Sequence, residues 1–167
     1  MLRFAPLACL LWPTIASATT WTVCGTGACN FSTINSASSS SMVLDGDTIN
    51  VYPGTYNNIS IDKALTINST AGPDQTTLRG ILFTAVVVED GVYATFSGFT
   101  IKGNQGVLVK ESSTLLLDNV DITDCSATFG SSRGAGIEVL EESVVTVTNS
   151  TFTNNDSDRD EGGHIYV

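Results

Sequence analysis

From Val86 onward, apolar and polar residues alternate in three segments that superpose without gaps. They are Val86-Val87-Val88-Glu89-Asp90-Gly91 running to Asn104, Val107-Leu108-Val109-Lys110-Glu111-Ser112 running to Cys125, and Ile137-Glu138-Val139-Leu140-Glu141-Glu142 running to Asn155. The offsets are 21 and 30 residues, the longer one carrying a polar, Gly-rich insertion around Ser126 to Gly134. Phe96, Leu117 and Val147 share an apolar column, and Ile101, Ile122 and Phe152 share another. Phe99 and Val120 form a third, which Ser150 interrupts. Between them lie Ser97, Asp118 and Thr148, then Thr100, Asp121 and Thr151, which are expected to face water because strand side chains alternate between faces.

A period near 20 residues marks a solenoid. Helix fits poorly, since the units are rich in Val, Thr and Ile, lack a 3.6-residue stripe and contain internal Gly. Gly98, Asn119 and Asn149 share a corner, where left-handed backbone is needed and stacked Asn side chains are placed to bond along the axis. The predicted fold class is all-β: a right-handed parallel β-helix with a short N-terminal capping helix. A β-sandwich is the alternative, because short strands with regular turns are its signature too.

The N-terminal half fits the same scheme. Residues 21–23 read as a strand, and residues 31–37 as a short amphipathic helix capped by Asn30. Ser36 through Ser41, with Ala37 among them, is a polar connection. Asp45-Gly46-Asp47 turns the chain into a strand over residues 48–52, and Pro53-Gly54 makes another turn. Ile59-Ser60-Ile61 follows as a strand, continued by Ala64-Leu65-Thr66-Ile67. A solenoid needs its first coil covered, a role open to the helix and the loop before it.

Arg3, the apolar residues 7–15 and Ala16-Ser17-Ala18 form a secretory leader, with cleavage expected after Ala18. The division is residues 1–18 as signal peptide, 19–44 as N-terminal cap with a disulfide loop, and 45–167 as β-helix coils, the last incomplete. The apolar stretch is too short to span a bilayer as a helix, and no later run approaches that length. The expected location is secreted or at the cell surface. In that oxidising setting Cys24 and Cys29, which bracket Gly25-Thr26-Gly27-Ala28, are expected to pair. Cys125 is left over, either a buried inert thiol or half of an intermolecular bridge.

Asp45-Gly46-Asp47-Thr48-Ile49, Val51-Tyr52-Pro53-Gly54-Thr55-Tyr56 and Ile61-Asp62-Lys63-Ala64-Leu65-Thr66-Ile67 resemble the opening coil of pectin-lyase-like right-handed β-helix proteins. Phe152-Thr153-Asn154-Asn155 followed by Gly162-Gly163-His164-Ile165 is similar to the repeat of chlamydial polymorphic outer membrane proteins, Phe-x-x-Asn then Gly-Gly-Ala-Ile, with His164 in place of Ala. Ile122-Thr123-Asp124-Cys125 followed by Gly134-Ala135-Gly136-Ile137 is a weaker copy. The first resemblance spans residues 21–70 and the second residues 86–167. Both imply a β-helix. The first brings in polysaccharide lyases, hydrolases and esterases, and the second surface passengers.

Composition narrows the partners. The 167 residues hold 7 basic and 17 acidic side chains, a net charge of −10. Phosphate binding needs clustered Lys and Arg, so nucleic acid is excluded as a partner, and anionic membranes and polyanions are disfavoured. A lyase would need carboxylates for calcium and a basic proton acceptor, for which Asp118, Asp121, Asp124, Arg79, Arg133 and Arg159 are available. They read more simply as solvated strand and turn residues, so no catalytic residue is assigned. Asp156, Asp158 and Asp160 offer calcium, the one cofactor in view, a set of alternating oxygens, although an acidic turn in water is the simpler reading. Asn30, Asn58, Asn68, Asn149 and Asn155 head N-x-Ser/Thr glycosylation sequons, whose use depends on the host and of which Asn149 is the least suited, since it sits in the corner ladder. Outward Thr100, Thr123, Thr151 and Thr153 hint at a threonine face, interrupted by Lys102 and Asp121. Gly163-His164-Ile165-Tyr166-Val167 reads as the start of another coil, an open edge suited to pairing with another chain or to continuing in a longer gene product. The function expected is a non-catalytic recognition or adhesion module for a carbohydrate or surface protein, with a pectate-lyase-like enzyme, or a fragment of one, as the alternative.

Overall fold

The computed structural model describes residues 17–127, 134–157 and 163–167. The leader's apolar stretch, Arg133, Asp158, Arg159 and Asp160 lie outside those residues. The elements are β1 (Thr20–Val23), α1 (Ile34–Ser38), β2 (Thr48–Val51), β3 (Gly54–Asn57), β4 (Ile59–Ile61), β5 (Thr66–Ser69), β6 (Thr76–Val88) and β7 (Tyr93–Ser97). Then come β8 (Thr100–Val109), β9 (Thr114–Asp118), β10 (Asp121–Cys125), β11 (Ile137–Val139), β12 (Val144–Thr148), β13 (Thr151–Thr153) and β14 (Ile165–Tyr166).

One sheet orders its strands β1-β2-β5-β7-β9-β12. In the other, β3 and β4 both pair with the long β6, which pairs with β8. β8 then carries β10 and β13 on one arm and β11 and β14 on the other. Pairing is parallel in both sheets, each strand bonded to its counterpart in the next coil. That is the stacked β-helix the repeat predicts. A sandwich would pair antiparallel neighbours.

The register makes the columns literal. Trp21, Ile49, Ile67, Phe96, Leu117 and Val147 are successive partners in the first sheet. Tyr56, Leu78, Ile101, Ile122 and Phe152 stack in one arm of the second, and Ile59, Val86, Val107, Ile137 and Ile165 in the other. Most of these are fully buried; Trp21, Val147 and Phe152 are half-buried, and Ile165 is exposed. A fully buried Ile, Leu or Phe is worth about 1.5–3 kcal/mol over an exposed one. Strand propensity spans only about 1 kcal/mol. The inward columns therefore decide where the strands lie. Parallel sheets are usually covered on both faces, but here the outer face meets water, which is why polar residues survive between the columns.

The N-terminal segment departs from expectation in detail. α1 begins at Ile34 and is capped by Thr33, whose hydroxyl accepts the Ser36 N–H at 3.0 Å while the Ser36 hydroxyl accepts the Thr33 N–H at 3.4 Å. Asn30 is not the cap. Its Oδ1 accepts the Thr22 N–H at 2.9 Å and hydroxyl at 2.8 Å, tying the disulfide loop to β1. Residues 59–61 and 64–67 are not one strand either. β4 and β5 belong to different sheets, because Ile61 and Leu65 both point inward and the chain must turn between them. Lys63 fixes that turn by donating to the Ser38 and Ser40 carbonyls at 2.9 and 2.8 Å.

Asp47 anchors the first coil. It is 3% exposed. It accepts the Thr19 N–H at 2.7 Å, the Trp21 indole N–H at 2.9 Å and the Leu44 N–H at 2.9 Å. Burial pulls its carboxyl up, but the Leu44, Trp21 and Thr19 donors together hold it below the ordinary carboxylate value.

The bend between the two arms takes up the extra length of the later coils, whereas the coil of β5 and β6 is also lengthened between Ile67 and Leu78. Tyr56 to Ile59, Leu78 to Val86, Ile101 to Val107, Ile122 to Ile137 and Phe152 to Ile165 all bridge the same two columns. Gly103 sits there at φ +132°, where a Cβ would lie 1.9 Å from the Gly80 carbonyl oxygen, so only glycine fits. A polar ladder stitches the bend along the axis. Thr84 Oγ1 donates to Gln105 Oε1 at 2.6 Å, and Gln105 Nε2 donates to Glu138 Oε2 at 2.7 Å.

Candidate functional site

The carboxylates that suggested a lyase surface bind the neighbouring coil. Asp118 Oδ1 accepts from the Thr148 hydroxyl at 2.7 Å and the Asn149 amide at 2.8 Å. Asp121 Oδ1 accepts from the Thr151 hydroxyl at 2.6 Å, and Asp124 Oδ1 from the Asn154 amide at 3.3 Å. The Thr148 hydroxyl, then the Asn149 amide, keep Asp118 below the ordinary carboxylate range. Gly98, Asn119 and Asn149 do share a left-handed corner, at φ 78°, 52° and 50°. Asn149 bonds along the axis to Asp118, the charged and stronger acceptor.

The next corner stacks left-handed pairs, Asp90-Gly91, Glu111-Ser112 and Glu141-Glu142. Their backbone donors meet side chains of the following coil. Asp90 N–H donates to Glu111 Oε2 at 3.2 Å, and Glu111 N–H to Glu141 Oε2 at 3.0 Å. Gly91 and Ser113 N–H donate to the Ser113 and Ser143 hydroxyls, both at 3.1 Å. Lys110 bridges Glu89 at 2.8 Å and Glu111 at 2.6 Å. Its ammonium, followed by the Ser60 hydroxyl, lowers the Glu89 carboxyl, and Glu111 and Glu89 raise Lys110 in turn. Much of the acidity thus holds coils together.

Cys24 and Cys29 form the disulfide, with Cα atoms 5.8 Å apart. Cys125 is a buried free thiol pushed up to about 12 by burial. Asn30, Asn58 and Asn149 are exposed. Asn68 is half-buried and accepts the Ser97 hydroxyl at 2.8 Å. Asn155 is 7% exposed, accepts the Cys125 N–H at 3.1 Å and donates to the Ile122 carbonyl at 2.8 Å, so its amide is committed to the stack. His164 Nδ1 lies 3.3 Å from that amide, on an exposed ring edge-on to Phe152. Asp156 is exposed, and its calcium partners Asp158 and Asp160 are beyond the described residues. Among the described residues, no three His, Cys, Asp or Glu side chains converge on a metal position. Nor is any helix among them long and apolar enough to cross a membrane.

The most unusual surface lies at the bend. β6 slips register between Gly80 and Thr84 against β8, extruding Ile81, Leu82 and Phe83 at 64%, 61% and 68% exposure. Leu82 and Phe83 overhang a cleft of about 350 Å³ whose other walls include Asn35 of α1, Asn58, Ser60 and Asn104. Just before the bulge, Arg79 and Lys102 are direct register partners. The inserted segments of the later coils leave from the same bend, after Cys125 and after Asn155. The sequence pattern missed this site because the repeat begins at Val86, and three apolar residues before it look like core. The signal was their succession: an alternating strand cannot bury Ile81, Leu82 and Phe83 on one side.

A family model described as the right handed beta helix region matches residues 84–167. No match was found among curated proteins or solved structures.

Proposed function

The chain belongs to the right-handed β-helix family, and from that we propose that it is a secreted, non-catalytic recognition module whose contact surface is the bend carrying Ile81, Leu82 and Phe83. The observation that carries this reading is the extruded apolar triplet beside a polar-walled cleft. Exposed apolar groups rimmed by polar ones mark interaction sites. The basic n-region, the short apolar stretch and the Ala16-Ser17-Ala18 cleavage site support export, as does the Cys24–Cys29 disulfide, which persists in oxidising compartments. The resemblance of residues 21–70 to pectin-lyase-like opening coils, and of residues 86–167 to polymorphic outer membrane protein repeats, supports a carbohydrate or surface protein as ligand. Occupied Asp118, Asp121 and Asp124 support a scaffold role for those carboxylates over calcium chemistry.

Two measurements test the reading. Purified protein is screened on glycan and surface-protein arrays, and separately incubated with polygalacturonate and calcium while unsaturated product is followed by absorbance. Saturable binding without product is expected. Turnover lost on substituting Asp118, Asp121 and Arg79 would replace the module with a lyase.

A further inference from the structure

We infer that the bulge is built to enter the interface of an anionic lipid bilayer, an inference that rests on its being the contact surface. Of the described cations, Lys63 donates to backbone carbonyls and Lys110 is ion-paired. Among the described residues Arg79 and Lys102 make no such contact, and they stand directly opposite each other in the sheet. Like charges placed so are destabilising. Beside them three large apolar side chains stand in water. Two local costs on one edge are offset together by a partner that is both negative and apolar beneath its surface. A fluid interface admits all three side chains however they splay, without the matched pocket that a protein partner would have to supply. Buried apolar area plus attraction to anionic headgroups sets such binding. The net charge of −10 opposes this mainly at long range. Screening over about 8 Å at physiological ionic strength weakens the remote carboxylates, and Asp124, which falls opposite Lys102 at the β8–β10 register shift, is the acidic group that the pair must outweigh.

The test is co-sedimentation of the exported chain with phosphatidylcholine vesicles containing or lacking phosphatidylserine. We expect binding that requires phosphatidylserine and weakens with salt. Leu82→Ser with Phe83→Ser should weaken it at least tenfold, and Arg79→Gln with Lys102→Gln should remove the lipid preference. Phe83→Trp, which keeps the bulge apolar, should blue-shift on vesicle addition. Wild type that ignores both vesicles, or binding unchanged in the serine variant, overturns the inference. Capture of an array protein through Phe83 in that case overturns it while leaving the recognition module standing.

A separate observation supports a second inference. Thr19 N–H donates to the buried Asp47 carboxylate at 2.7 Å, and Thr48 N–H donates to the Thr19 carbonyl at 2.9 Å. We infer that leader removal completes this site. Hydrolysis of the Ala18–Thr19 bond by a signal peptidase adds water, leaving a carboxylate on Ala18 and an ammonium on Thr19. The ammonium takes the place of the Thr19 amide donor and gives buried Asp47 a countercharge beside its two neutral donors, the Trp21 indole and the Leu44 N–H. Mass measurement of the exported protein should place Thr19 first. A form retaining Ala18 should melt roughly 3–8 °C lower, a shift in keeping with a charge-assisted bond in a chain this size, and Asp47→Asn should abolish that difference. The Thr19 amine should also react more slowly with acylating reagent than the Ala18 amine of the longer form. A different first residue refutes the cleavage site. Equal melting and equal amine reactivity of the two forms refute the ion pair.

Discussion

Phe96 and Phe99 stack their rings 4.2 Å apart at 24° across the corner made by Ser97 and Gly98, and both are fully buried. Each belongs to a different inward column, so the pair ties two walls of one coil together. Phe96→Ala should cost about 3–5 kcal/mol, the range for deleting a buried aromatic. Urea unfolding would report a lower midpoint at similar slope.

Gly103→Ala should be worse than its single methyl suggests. The new Cβ would meet the Gly80 carbonyl oxygen at 1.9 Å, and φ is +132°. The backbone conformation alone costs about 1–3 kcal/mol, and the clash adds to it. Soluble yield and thermal midpoint should both fall, whereas Gly25→Ala, in open space, should change neither.

Acid should loosen the first coil at its Asp47 anchor. Asp47 titrates below its ordinary value in the fold. Its stabilisation is therefore complete above about pH 4, where an unfolded carboxyl is ionised, and is lost as pH falls through the lower, folded value. Asp47→Asn should flatten that acid limb and cost about 1–3 kcal/mol at neutral pH. Trp21 fluorescence, reporting its indole bond to Asp47, is the direct readout.

Cys125 should resist alkylation in the native protein at pH 8. Burial keeps it protonated, with its thiol near 12, and the thiolate is the reactive form. Iodoacetamide should modify it only after unfolding. Fast native labelling would mean that the coil of β10 opens.

The coils were legible because burial writes itself into alternation: Phe96, Leu117 and Val147 had to match once the repeat was aligned. The bulge was not, since Ile81, Leu82 and Phe83 carry the residue types of a core and only strand register shows them expelled. Nor was the use of the carboxylates. Asp118 and Thr148 sit 30 residues apart, and their bond depends on coil stacking that no local motif encodes. The cap was half legible. Asn30 and Thr33 are both competent cap residues, and the choice was made by Thr22, a distant hydroxyl that claims Asn30.

The bend between the two arms has a further consequence. Because the inward columns close over it whatever number of residues it contains, the chain can lengthen there without disturbing its axial packing. The described ends of segments remote in sequence, at Cys125 and at Asn155, lie against each other along this seam. Variation at this seam is insulated from stability, so new binding specificities can be tried on an unchanged spine.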